Sequence, residues 1–293
     1  MDNKKEINIL QKPSLKDHIS NNKLGLLITI LAFLIPILMV LGVLPRNEYS
    51  ILLLCFICIY IIACSGLDIL FGYTGQMSLG HAGFYAIGAY VSALLSLQNS
   101  QYGTEAWFGF SLPPFFSMFV AALLAAIIAA LLAIPATKLV YHFLALLTIA
   151  FGMLMFLVIS MFPKITNGYS GLINIPQISF FGFTLNNNIR YYFYSLIMVI
   201  VFLFLKQRII NSRVGRALIA IRDNQLAANG CGVNVQKYKI ISFALSAFFT
   251  AYAGAMYAHL VTFISPESFQ YAQSVLFLTM LVFGGNGNLW GPV

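Results

Sequence analysis

The chain has 293 residues, of which 60% are hydrophobic and 8% charged, and its sixteen Lys and Arg against eight Asp and Glu give a net charge of +8. An ordinary soluble domain carries roughly 25% charged residues, and no water-soluble core absorbs such an excess of apolar side chains, so lipid must be part of the solvent. The bases lie in blocks between apolar runs and build no separate basic domain, which argues against a nucleic-acid partner and for charge that sets membrane topology.

Residues 1–23 form a polar tail. It is too long before the first apolar run, and too far from any small-residue cleavage site, to be a secretory signal, so that run is expected to remain as a helix. The apolar runs are Leu24 to Leu44, Ile51 to Phe71, Ala82 to Leu97, Phe115 to Ile134, Leu139 to Phe162, Tyr191 to Leu205, Ile240 to Ala258 and Ala272 to Phe283. The first spans about 31 Å as a helix, enough to cross the hydrocarbon core. Ala82 to Leu97 and Ala272 to Phe283 are short for a simple span, and both adjoin glycine-rich stretches, so they are expected to be broken or re-entrant helices. The fold class is therefore all-α: a polytopic helical membrane protein with about eight membrane helices, some broken at glycines, over residues 24–293.

Threading the runs alternately with the N-terminus inside puts thirteen of the sixteen bases on the cytoplasmic side. Arg46, Lys164 and Arg190 are left outside. That is the bias expected of short cytoplasmic loops. Cys55, Cys58 and Cys64 sit inside one apolar run and Cys231 in a basic stretch, which makes no disulfide framework and reads as small side chains in a helix rather than redox or metal chemistry. The chain stops at Val293 just after GGNGNLWGPV, without a polar tail, and a C-terminal continuation by one or two helices is expected.

Three segments can carry function. Gly72 to Ala82, GYTGQMSLGHA, brings three glycines and several polar side chains between two apolar runs. Unsatisfied backbone groups facing lipid cost several kcal/mol each, so such a segment belongs inside protein or beside a wet cavity. Discontinuous helices of this kind build transport sites whose exposed N–H groups hold an anionic group. The alternative is an interfacial loop with glycines for close packing, and His81 alone suits a structural role. Phe283 to Leu289, FGGNGNL, echoes Phe71 to Met77, FGYTGQM, as in an internal duplication, although the topology gives both copies the same direction.

The third segment, 206–239, holds seven bases and one acid, Asp223, and is expected in the cytoplasm. Within it Gly215 to Ala228 reads as one short helix, with Ala217, Leu218, Ile221 and Leu226 on its apolar side, ended by Gly230 and Gly232. Such a helix needs a surface to cover, either membrane lipid headgroups or a partner protein. There is no G-x-x-x-x-G-K-[ST] loop, no H-E-x-x-H, no nucleophile elbow and no cluster of carboxylates, so neither catalysis nor an internal energy source is expected. Asp68, the one acid inside a run, is expected in a water-exposed position near the cytoplasmic end.

From about Ile51 onward the chain resembles the LivM-type permease subunits of branched-chain amino acid ABC importers. The resemblance rests on GYTGQMSLGHAGFYAIGAY (Gly72 to Tyr90), TNGYSGL (Thr166 to Leu172, with Asn167 for the family's first glycine), GRALIAIRDNQLAANGCGVN (Gly215 to Asn234) and YAHLVTFISPESF (Tyr257 to Phe269). It implies a multi-pass protein of the bacterial plasma membrane, not an enzyme, with no cofactor of its own because ATP binds to partner subunits. The implied partners are two ATP-binding subunits, a second, LivH-type permease and an extracytoplasmic substrate-binding protein. It implies ATPase coupling through Gly215, Arg216, Arg222, Asp223, Ala227, Ala228 and Gly232, although Gln225 and Asn229 stand where relatives have Glu. Gly72, Tyr73, Gly75, Gln76, Ser78 and His81 are the candidates for the substrate path. Urea or amide import is the nearest alternative, and an ion-coupled carrier or a membrane-embedded enzyme is the alternative from another class.

Overall fold

In lipid, large apolar side chains gain little by turning inward, so helices pack through their small residues. The helix Pro114–Ala136 shows this directly: Ser117, Ala121, Ala125, Ala129 and Ala133 recur every fourth residue and are buried, while Phe116, Phe119, Leu123, Ile127, Leu131 and Ile134 are exposed. The computed structural model describes residues 48–97, 112–137, 141–180, 183–184 and 187–293. The first apolar run and most of the loop after Leu97 lie outside the described residues.

The helices are α1 (Glu48–Thr74), α2 (His81–Ser96), α3 (Pro114–Ala136), α4 (Tyr141–Met161), α5 (Pro163–Thr166), α6 (Asn188–Asn211), α7 (Arg213–Asp223), α8 (Gln225–Gly230), α9 (Val235–Val261) and α10 (Tyr271–Gly284). All seven apolar runs among the described residues are helical, and five of these helices are long and apolar enough to cross a membrane. A two-stranded hairpin, β1 (Ser179–Phe180) with β2 (Phe183–Thr184), pairs Ser179 with Thr184 and leaves the all-α class unchanged.

The core is α2, α3 and α9. At Gly88 an added Cβ would overlap the Ala251 carbonyl, and at Gly254 it would overlap the Tyr85 carbonyl, so α2 and α9 cross backbone to backbone. Polar side chains close the same seam: Ser92 Oγ lies 2.8 Å from His259 Nε2 and 2.9 Å from Ser117 Oγ. His259 Nδ1 is 2.7 Å from Pro176 O. Every atom in this chain of contacts finds a partner within protein, as hydrocarbon demands.

The bundle has two distinct ends. At one, the basic end, α6 finishes, α7 and α8 lie, and α9 begins, bringing Lys206, Arg208, Arg213, Arg216, Arg222, Lys237 and Lys239 together in sequence. At the other, Leu172 and Ile264 exchange backbone bonds of 2.9 and 3.0 Å, tying the segment after α5 to the segment after α9. Asn167 sits there at φ 60, beside Gly168 at φ 56 and Gly171 at φ 72. Asn is among the side-chain-bearing residues that adopt this left-handed region most readily, so it keeps a turn that glycine would otherwise supply. Its Nδ2 also donates to Gly171 O at 2.9 Å.

Two expectations are corrected. Gly215 to Ala228 is not one helix but α7 and α8, divided at Asn224, whose backbone is extended (φ −158, ψ 111) and whose side chain accepts from Leu226 N and Ala227 N at 3.0 Å. An N-cap restarts the helix with a new phase. Ala217, Leu218 and Ile221 stay on the buried side of α7, while Leu226 is 85% exposed. Asp68 is also misplaced by sequence: it is fully buried, not water-exposed.

Candidate functional site

Gly75 ends α1 at φ +71, and its N–H and that of Gln76 reach back to Phe71 O and Leu70 O at 3.1 Å each. The chain then runs without regular structure to His81, where α2 starts. That start is not at the membrane face. His81 Nε2 is 2.6 Å from Ser246 Oγ, and Ser246 is eleven residues into α9, about 16 Å along its axis. Leu79 N donates to Thr148 Oγ1 at 3.0 Å, and a Cβ on Gly80 would overlap the Thr148 carbonyl. Residues 75–80 thus climb without regular structure from the basic end into the bundle, where Ser78 Oγ and Leu79 N find partners within protein.

The second short helix does the same from the other side. α10 begins at Tyr271, and Ser274 Oγ in its first turn accepts from Ala82 N at 2.8 Å. The first turns of α2 and α10 therefore meet inside the bundle, and the two helices leave that point in opposite directions. Phe269, just before α10, packs against Tyr85 and Tyr90 of α2 at 5.7 Å between ring centroids in each case. Both short runs are discontinuous helices, as their glycines and lengths suggested.

The path candidates divide into two groups. Ser78 and His81 lie at the inner crossing, with Ser78 Oγ 3.0 Å from His81 Nδ1. Gly72, Tyr73 and Gly75 lie at the basic end, and a Cβ on Gly72 would overlap the Asp68 carboxylate and come within 2.6 Å of Gly287 N. Between them is Gln76, 1% exposed, whose side-chain amide has no hydrogen-bond partner among the described residues. An unsatisfied buried amide costs about 1–3 kcal/mol, a cost that a polar ligand or a rearrangement relieves.

Of the coupling candidates, Gly215 packs α7 against α6, since a Cβ there would overlap the Ile210 carbonyl. Arg216, Asp223, Ala227 and Gly232 are exposed, and Ala228 is buried. Gly232 takes φ +83 and closes α8, with Val233 N bonded to Ala228 O at 3.0 Å. An open cleft of about 580 Å³ lies beside α8, lined by Thr137, Gln225, Leu226, Asn229, Gly232 and Lys239, and Lys239 Nζ donates to Gln225 Oε1 at 3.0 Å on its wall. Arg222 alone of the coupling candidates reaches a path candidate, donating through Nη1 to the Gly72 carbonyl.

Sequence reasoning missed Lys206. It is fully buried, its Nζ 2.7 Å from Asp68 Oδ2 and 3.1 Å from Asn288 O, and 5.9 Å from the Tyr73 ring centroid. Asp68 Oδ1 accepts from Gly287 N at 2.7 Å. The signal was an acid and a base near the ends of two runs that the threading brings to one side. Ser246, Thr148 and Ser274, which hold the inner crossing, carried no pattern that sets them apart from ordinary packing serines and threonines.

Comparison with known proteins agrees with this architecture. Residues 50–293 match the family described as branched-chain amino acid transport system / permease component. The chain is 32% identical over 258 residues to the high-affinity branched-chain amino acid transport system permease protein LivM of Escherichia coli, covering 80% of this chain and 58% of that protein. The LivM of Salmonella typhimurium gives the same identity and coverage. A probable branched-chain amino acid transport permease protein LivM of Methanocaldococcus jannaschii is 25% identical over 265 residues, 82% of this chain and 75% of that protein. The chain thus spans less than two thirds of the length of the two bacterial relatives, and no solved structure matches it significantly. With the match running through both discontinuous helices and the α7–α8 element, this chain belongs to the permease-component family of branched-chain amino acid transport systems.

Proposed function

We propose that the chain is a membrane-spanning subunit of an ABC importer that moves leucine, isoleucine and valine inward. Two ATP-binding subunits, a second permease subunit and an extracytoplasmic binding protein would complete the assembly. The observation that carries this reading is the family match across a bundle in which two short helices, each preceded by irregular chain, meet in its interior. A zwitterion with an aliphatic side chain suits a path of backbone groups and small hydroxyls, because its charges need compensation and its side chain needs none.

The α7–α8 element is the part offered to the ATP-binding subunits. It stands outside the membrane-spanning helices, exposes Ala227 and Gly232 beside an open cleft, and carries no phosphate-binding loop. The orientation follows the basic end. Among the described residues seven bases lie there and two, Lys164 and Arg190, at the other, so the basic end is cytoplasmic. The N-terminus, reached by threading the first run, is then also inside, and the membrane is the bacterial plasma membrane.

Substrate class is tested by uptake into proteoliposomes holding the complete assembly and internal ATP, with labelled leucine, valine and urea supplied outside with the binding protein. Leucine and valine are expected to accumulate and urea is not. ATP-dependent accumulation of urea without leucine would overturn the substrate assignment.

A further inference from the structure

Four separate stretches of chain converge at the basic end: the last turns of α1, α6 near its finish, α7, and the glycine-rich turn after α10. Three of them, α1, α6 and the turn, meet at the Asp68–Lys206 pair. Its remaining hydrogen bonds all go to backbone of the closing turn: Asp68 Oδ1 accepts from Gly287 N at 2.7 Å, and Lys206 Nζ donates to Asn288 O at 3.1 Å and approaches Leu289 O at 3.4 Å. A buried ion pair is not in itself a stabilising device, because desolvation of the two charges offsets their attraction unless further hydrogen bonds complete it. Here those further bonds fix the position of a mobile kind of backbone, a turn with Gly285 at φ +94 and Gly287 at φ +76.

Arg222, an exposed residue of α7, reaches inward beside this arrangement. Its Nη1 donates to Gly72 O, one turn along α1 from Asp68, and a Cβ placed on Gly287 would come within 2.9 Å of the same Nη1 and 3.4 Å of Gly72 O. Both Phe-Gly-x-x-Gly segments thus lie under one guanidinium. The side chain belongs to α7, which continues through the Asn224 cap into α8. A displacement of α7 therefore pulls on the Gly72 carbonyl in the last turn of α1, just before the broken segment 75–80, and shifts the guanidinium that packs beside Gly287. Charge-assisted bonds of this number favour discrete arrangements over continuous deformation.

We propose that Arg222, bonded to the Gly72 carbonyl one turn from the Asp68–Lys206 pair and packed beside Gly287, is the linkage that transmits movement of α7 and α8 to the two glycine-rich segments. It is a positioning residue, and it rests on the reading of the chain as an ABC permease given above. Its loss separates ATP hydrolysis from transport.

The test measures leucine imported per ATP hydrolysed by the complete assembly in proteoliposomes, for wild type, Arg222→Ala, Arg222→Lys and Gly287→Ala. The ratio is expected to fall about tenfold or more in Arg222→Ala, as the loss of one charge-assisted hydrogen bond implies, and to recover in part in Arg222→Lys, which can still donate. Gly287→Ala alters no charge, yet it is expected to lower the ratio as well, and adding it to Arg222→Ala brings little further loss because both act through one contact. A variant that merely misfolds loses transport and stimulated hydrolysis together at an unchanged ratio. Unchanged ratios in both Arg222→Ala and Gly287→Ala, or independent additive losses, overturn the linkage. Should Arg222→Ala fail to assemble, Arg222→Lys and Gly287→Ala decide alone. A wild-type assembly that imports nothing with ATP overturns the ABC reading itself, and the linkage with it.

Discussion

At the scale of single residues, the bundle depends on positions where a side chain is too much rather than too little. Gly88 and Gly254 let α2 and α9 touch through backbone, and each would drive a Cβ into a carbonyl of the other helix. Gly88→Val is therefore expected to destabilise the chain by about 1–3 kcal/mol or more, read as a lower midpoint of thermal unfolding in detergent. An unchanged midpoint would mean that the α2–α9 crossing is looser than described. The Asp68–Lys206 pair makes the opposite kind of prediction. Asp68→Leu alone strands a buried ammonium, a loss of about 3–5 kcal/mol, whereas Asp68→Leu with Lys206→Met removes both charges and is expected to be the more stable of the two in the same assay.

At the scale of elements, α7 and α8 are two helical pieces joined at Asn224. Its side chain caps α8 by accepting from two backbone N–H groups, and replacing it removes about 1 kcal/mol of support from a six-residue helix. Asn224→Ala is expected to weaken co-purification of the ATP-binding subunits while the unfolding midpoint of the bundle stays put. Equal retention of those subunits would remove α8 from the docking surface. How far these elements were legible in sequence follows from what each kind of signal can report. The five long spans announced themselves because lipid demands an uninterrupted apolar stretch, and the two glycine-flanked short runs announced themselves as broken. The α7–α8 joint did not, since an Asn inside a polar stretch reads the same whether it caps a helix or rides on one. The burial of Asp68 was lost for a related reason: a charge near a helix end can reach water or find a partner, and the partner, Lys206, lies 138 residues further along the chain.

At the scale of the whole molecule, two half-helices meet inside the bundle while their polar connections return to one end, under the basic element. The inner crossing is closed by Ser78, His81, Ser246 and the contact of Ala82 with Ser274, and the basic end is closed by the Asp68–Lys206 pair. In the importer proposed above, a path for the substrate would require both contacts to open. The importer reading proposed above requires that the driving energy come from ATP hydrolysed by other subunits. It is tested most directly by leucine uptake into sealed vesicles holding the permease subunits with and without the ATP-binding subunits, each with ATP inside and with an imposed proton or sodium gradient. Uptake is predicted only where the ATP-binding subunits and ATP are both present. Gradient-driven uptake by the permease without them would rule out an ABC importer.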